Sequence, residues 1–257
     1  MLEPISNGNS ISRVTASIYT PQSILNPVKY FERLKEDPRF HKYQKKGVIH
    51  QKNIGIINEK EFDISENKNV GFIFEEFEDG NSINVLKLEN NDRNDKAILS
   101  IENKKYNSWT EYKARFLEDF KCISETVDLY VEAIVLNYID EFIWNSNSEK
   151  IDINGIFNVN SDLLNQKFIK SYNASLRSVS QSSRIDEKDF QEENTEIFFN
   201  NDIKRIIINH SYAIKLSKYD LYENINLSDY FDSAHDSNKS VLLNLLSEGT
   251  QKLIGLI

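Results

Sequence analysis

Residues 106–144 read YNSWTEYKARFLEDFKCISETVDLYVEAIVLNYIDEFIW, and the spacing of their apolar residues changes partway along. Ser108 and Glu111 have the spacing of a capping box, in which the serine hydroxyl accepts from the Glu111 backbone N–H and the glutamate reaches back to the Ser108 N–H. Trp109, Tyr112, Phe116, Leu117, Phe120, Ile123 and Val127 follow at three- and four-residue steps. That spacing places them on one stripe of a helix, with Lys113, Arg115, Glu118, Asp119 and Lys121 largely opposite. From Val131 the period drops to two. Ile134, Leu136, Tyr138, Phe142 and Trp144 share one face with Glu132 and Asp140, while Val131, Ala133, Val135, Asn137 and Ile139 share the other. Apolar residues on both faces predict a strand that is covered on both sides over its first half and central in its sheet.

Upstream, Ile11 to Tyr19 reads as an opening strand. Asn26-Pro27 has the form of an N-cap followed by proline at the first helical position, and Asp37-Pro38 closes that helix. Strand-like runs follow at Val48–Asn58, Val70–Phe77, Ile83–Leu88 and Ala97–Ile101, with a hairpin turn at Asp79-Gly80-Asn81-Ser82. Downstream, the polar residues Asn145 to Lys150 mark a boundary or a long loop. Leu163, Leu164, Phe168 and Ile169 suggest a short helix, Ser171–Ser183 a mobile or edge segment, and Glu187–Glu193 a charged turn. A long strand is expected over Ile203–Leu216 and a closing helix from about Asn238, with Val241, Leu242, Leu245, Leu246 and Leu253 on its inner face.

These elements predict an α+β protein: mostly antiparallel sheets with long amphipathic helices packed on them, in two similar halves, residues 1–146 and 147–257, or in one compact domain. The 257 residues suffice for a substantial core, and 39% hydrophobic with 11% aromatic residues argues for a folded chain. No apolar run reaches the roughly 18–20 residues of a membrane helix, and Met1-Leu2-Glu3-Pro4 lacks a secretory signal's basic and apolar regions. With a lone Cys122 inside the capped helix, these features point to a reducing, cytoplasmic setting. The net charge of −9, from 40 acidic and 31 basic residues, disfavours nucleic acid and anionic membranes as partners and favours another protein.

Chemistry-bearing patterns are sparse. The four histidines, His41, His50, His210 and His235, include no ligand-spaced pair, so no metal or other cofactor is implied; the roles of His210 and His235 stay open. No Gly-x-Ser-x-Gly elbow or phosphate-cradling glycine loop occurs. Glu102-Asn103-Lys104 has the Glu-x-Lys form of restriction-type nucleases, where two carboxylates hold Mg²⁺ and a lysine steadies the attacking water; Asp79 or Asp95 would supply the second carboxylate. The acidic tip Glu75, Glu76, Phe77, Glu78 and Asp79 could dock a basic partner or keep an edge hairpin from aggregating. Lys42, Lys45 and Lys46, interleaved with aromatics, form a basic patch that could grip a single nucleic-acid strand or serve as a solvated link.

Tyr106-x-x-Trp109 at the helix entry, the strand Val135-Leu136-Asn137-Tyr138-Ile139 and the closing helix Val241–Leu253 together resemble a sporadically distributed bacterial family of uncharacterised proteins of about this length. That family's strand reads roughly Gly-Leu-Arg-Tyr-Ile-Asn; here Val135-Leu136-Asn137 and Asp140 depart from it, so no role of its arginine carries over. The resemblance implies the fold outline and a bacterial, intracellular setting, and no activity. The leading functional expectation is therefore a non-enzymatic binding or assembly component of a bacterial multi-gene system, of the kind concerned with antiviral defence or mobile elements. The alternative is a Mg²⁺-dependent nuclease built on Glu102 and Lys104.

Overall fold

The computed structural model describes residues 1–5, 9–51, 54–58, 61–64, 68–91, 94–146, 150–183 and 189–257. Its strands are β1 (Leu2–Pro4), β2 (Ile11–Tyr19), β3 (Lys45–Gln51), β4 (Ile54–Asn58), β5 (Glu61–Ile64), β6 (Lys68–Glu78), β7 (Asn81–Asn91), β8 (Lys96–Asn103), β9 (Tyr130–Trp144), β10 (Asn173–Ser183), β11 (Phe190–Asn200) and β12 (Arg205–Leu221). The helices are α1 (Pro27–Leu34), α2 (Trp109–Ser124), α3 (Ile153–Ile156), α4 (Gln166–Lys170), α5 (Leu227–Leu245) and α6 (Glu248–Leu253).

The capped segment folds as its residues require. Ser108 Oγ accepts from the Glu111 N–H at 3.3 Å, and Tyr112, Phe116, Phe120 and Ile123 turn inward from α2. Each of these buried side chains contributes about 1.5–3 kcal/mol. Tyr112 reaches between two strands, where its hydroxyl accepts from Ala16 N–H at 2.7 Å and donates to the Ile101 carbonyl at 2.8 Å. At the β6–β7 hairpin, Asp79 and Gly80 both take positive φ, 50° and 80°, the backbone that a two-residue turn demands.

Ten strands form one antiparallel sheet in the order β10-β11-β12-β9-β2-β8-β7-β6-β3, with β1 on the end of β9 beyond β2; β4 and β5 form a separate pair. β9 pairs with β2 on one side and β12 on the other, so α2 carries the chain from β8 across β2 to β9. The helices gather on one face. Phe31 of α1 meets Phe72 and Phe74, His235 of α5 meets Tyr138, and Phe168 of α4 meets Phe199. The buried side chains of the strands, such as Ala16, Leu99, Leu136 and Ile208, point to the same side.

Four expectations are corrected. Long amphipathic helices packed on several sheets, in two similar halves, give way to one large continuous sheet in which strand far outweighs helix, and among the described residues four of the six α-helices have eight residues or fewer. The two chain segments merge because β9 is bonded to both. Second, β9 is covered on one face only; Val135, Asn137 and Ile139 on the other are half-buried by their neighbours. Third, the closing helix begins at Leu227, eleven residues before Asn238, and a second short helix follows it. Its first turns read Ser, Asp, His and Asn, which have weak helix propensity, and are held by tertiary contacts. The charged turn anticipated at Glu187–Glu193 is partly strand: β11 starts at Phe190, and residues 187 and 188 lie outside the described residues.

Gly71 shows how tightly this sheet is built, since a Cβ there would sit 2.0 Å from the Leu88 carbonyl oxygen and 2.8 Å from Glu89 Cα. Both are backbone atoms of the adjoining strand and cannot move aside singly. Gly71→Ala is expected to lose about 3 kcal/mol or more in urea unfolding, whereas Gly47→Ala, with its nearest neighbour 4.0 Å away, should change stability by less than about 1 kcal/mol.

Candidate functional site

The residues singled out in the sequence are mostly engaged with one another. Lys45 of the basic patch pairs with Glu75 of the acidic tip at 2.7 Å. Lys42 binds the buried Asp119 at 2.7 Å, beside the Tyr43 hydroxyl, and Lys46 donates to the Lys35 carbonyl at 2.7 Å. Glu76 pairs with Arg115 and accepts from Asn84, Glu78 binds Lys105 at 2.5 Å, and the Phe77 N–H donates to Gln44. Asp79 occupies the hairpin turn. Glu102 lies at the end of β8 between two cations, Arg13 at 3.3 Å and Lys104 at 3.1 Å. Among the described residues, no group of three or more His, Cys, Asp or Glu side chains converges as a metal site would require.

The structure instead assembles a polar seam that single-residue reading could not connect. Its members are Ser10, Asp140, His210 and Asn238, each at most 4% exposed. They come from the approach to β2, from β9, from β12 and from α5, and they lie where one apolar cluster around Tyr138 gives way to another around Phe142. Ser10 Oγ donates to Asp140 Oδ1 at 2.6 Å, while Asp140 Oδ2 is buried with no hydrogen-bond partner. Burial therefore pushes the Asp140 carboxyl up to about 6, against the pull of the Ser10 hydrogen bond and the nearby His210. His210 sits between the Asn238 amide (Nδ1 to Nδ2, 3.1 Å) and Glu193 (Nε2 to Oε1, 3.2 Å). The amide nitrogen donates, so Nδ1 accepts and Nε2 carries the proton offered to Glu193. That bond, reinforced by Ser237 Oγ at 2.5 Å, holds the Glu193 carboxyl below the usual range. Glu193 lines a small hydroxyl-rich cleft with Ser180, Ser182 and Tyr212.

Next to the seam, α2 and α5 clasp each other. The Trp109 and His235 rings stack with centroids 4.5 Å apart and planes 6° from parallel. Trp109 Nε1 and Lys113 Nζ both donate to Asp232, each at 2.7 Å. His235 Nδ1 lies 2.9 Å from the Tyr138 hydroxyl, and burial lowers its pKa. His235 and Asp236, which precede the helix expected from Asn238, thus lie in the middle of α5. Cys122 is buried in α2 with its thiol pushed up by burial, as befits a packed side chain.

The opposite face, which among the described residues carries no helix, has a different character. Across β12, β9 and β2 its centre is uncharged, with Ala213, Val135 and Ser17, continued by Ser100 of β8, in one row and Ser211, Asn137 and Thr15 in the next, where Glu102 stands at the β8 position. Asn137 Nδ2 donates to Asn209 Oδ1 at 2.6 Å along this surface. Charges stand around the margin, paired: Arg13–Glu102, Arg205–Glu141, Lys87–Glu89 and Arg177–Glu196, with Lys96 and Lys215 on Glu132. Asn137 was legible as a polar residue in an apolar strand; that it faces a bare sheet was not.

Among the described residues no helix is long and apolar enough to cross a membrane. No protein-family model matches the chain, and no curated protein matches it.

The seam makes stability depend on pH in a stated direction. Asp140 holds its proton more tightly folded than unfolded, so its favourable contribution is full below its ordinary 3.8 and is lost as pH rises through about 6. At pH 7.5 the ionised carboxyl burdens the fold by on the order of 3 kcal/mol. Asp140→Asn, which still accepts from Ser10, is expected to be more stable than wild type at pH 7.5, with the gap closing towards pH 4. Urea titrations at both pH values measure this, and a gap independent of pH would contradict it.

Proposed function

We propose that this chain is a non-enzymatic binding or assembly component whose protein partner lies on the helix-free face of the sheet. The observation that carries this reading is the arrangement of an uncharged centre, built from Val135, Asn137, Ser211 and Ala213, inside a ring of ion pairs. Protein interfaces have this anatomy: a centre depleted of charge, where water is excluded, and a polar rim that stays wet. Size agrees as well. The strands from β11 to β7 number six; at about 4.8 Å spacing and about 30 Å length they offer roughly 850 Å², near the about 800 Å² per partner of a standard interface.

The charged candidates fit this reading less directly. With Lys45 on Glu75 and Lys105 on Glu78, docking a partner on the basic patch or the acidic tip would first have to break these pairs. At the centre of the sheet face no ion pair has to be broken, and Asn137 is held there by its hydrogen bond to Asn209. In a bacterial multi-gene system the partner would be encoded beside this chain.

The test is co-expression with the neighbouring reading frames followed by purification through this chain. A stoichiometric partner is expected with wild type and with Lys252→Glu, a change on the exposed side of α6. Ser211→Arg and Ala213→Arg place a bulky cation in the centre of the face and should each abolish co-purification, with melting temperatures within about 3 °C of wild type. Retention of the partner by both arginine variants, or its absence with wild type, would count against the proposal.

A further inference from the structure

The two outer strands of the sheet are built differently. β3 carries Lys45 and Lys46 and has a register shift between Ile49 and His50. Lysines and bulges are devices by which edge strands discourage pairing with other chains. β10 has neither. Its eleven residues, Asn173–Ser183, pair with β11 without a register shift, contain no proline or lysine, and include one charge, Arg177. No strand of the described residues pairs with its outer edge. Val179 on this strand is 49% exposed, and Phe190 on adjoining β11 is 37% exposed. A row of backbone donors and acceptors roughly 35 Å long is therefore open to another strand.

We propose that β10 pairs antiparallel with β10 of a second copy of this chain across a two-fold axis, joining two ten-stranded sheets edge to edge. This rests on reading the chain as an assembly component and names one of its partners. Antiparallel pairing is self-complementary, so one strand serves as both halves of the interface and the assembly closes as a dimer. Centred on Ser178, the register uses all of residues 173–183. It sets Arg177 against Val179 of the second copy and Ser175 against Gln181, so that no like charges stand directly opposite; the two Arg177 side chains are diagonal neighbours across the axis. Arg177 stays neutralised by Glu196 of its own β11, at 3.3 Å. Both exposed valines then lie beside the aliphatic stem of an arginine and lose their contact with water. A foreign peptide could use the same backbone edge, but this register needs no further sequence.

The chain is expected to sediment at twice its 30.0 kDa mass as its concentration is raised to about 100 μM. Val179→Lys puts a lysine opposite Arg177 at both symmetry-related positions and should weaken the dimer by about tenfold or more. Val179→Glu puts a carboxylate there instead and should hold the dimer or tighten it. Val179 is half exposed, so neither change should alter the fold. Ser178→Cys meets its own copy across the axis and should give a disulfide-linked dimer under mild oxidation. Ser240→Cys on the exposed side of α5 should not, and Cys122 is buried. A 30.0 kDa monomer across that range overturns the inference, and so does a dimer indifferent to Val179→Lys and not cross-linked through Ser178→Cys. A monomer that still retains a neighbour-encoded partner, lost on Ser211→Arg, would overturn β10 pairing and leave the open-face reading standing. A β10 dimer that retains no such partner would do the reverse.

Discussion

β9, Tyr130–Trp144, is hydrogen-bonded to β2 and β1 along one side and to β12 along the other, and so binds the early and late parts of the chain into one sheet. A strand bonded on both sides must present its alternate residues to the two faces of the sheet in fixed register. Its residues Ile134, Leu136, Tyr138, Asp140 and Phe142 face the helices; Val135, Asn137 and Ile139 face the open side. A slip of one residue would bury Asn137 and expose Tyr138. The register of β9 is thus set by its own pattern and imposes itself on both flanks.

The helix side carries a cost within its packing. Between the two apolar clusters the strands supply Asp140 and His210 where aliphatic residues would pack as well or better, and α5 answers with Asn238. Buried polar groups with incomplete partners weaken a core and narrow the ways it can assemble. Here the seam sets the height of α5 along the sheet, because Asn238 meets His210 and His235 meets Tyr138 at one position only. Trp109 and Asp232 extend the same constraint to α2. The helices are accordingly registered by hydrogen bonds and one ring stack, and the apolar contacts around them fill space.

The contrast between the two faces bears on function. Side chains with strong chemistry lie mainly where solvent and partners do not reach, and the reachable face is mild, neutral at its centre and broad. Such a surface suits recognition by area and shape rather than by a few strong groups. The asymmetry of the sheet edges points the same way, with β3 carrying lysines and a register shift and β10 carrying neither.

Local pattern was enough for much of this protein. The extent of β2, the proline-started α1, the capped α2 and the Asp79-Gly80 turn follow from spacing and capping chemistry, interactions confined to a few adjacent residues. Tertiary structure decided whatever depends on residues far apart in the chain. It converted the Ser-, Asp- and His-rich start of α5 into helix through contacts with α2 and β9, and made Phe190–Asn200 a strand by giving it neighbours on both sides. It also brought Lys45 to Glu75, across a gap in sequence that no periodicity spans, and so neutralised two patches that looked available. The largest difference concerns β9. Apolar alternation reports that both faces of a strand avoid water, and the helices of this chain cover only one of them. The other is the open face, where Val135, Asn137 and Ile139 are half-buried by their neighbours in the sheet, an arrangement set by strand pairing between distant segments and not by local pattern.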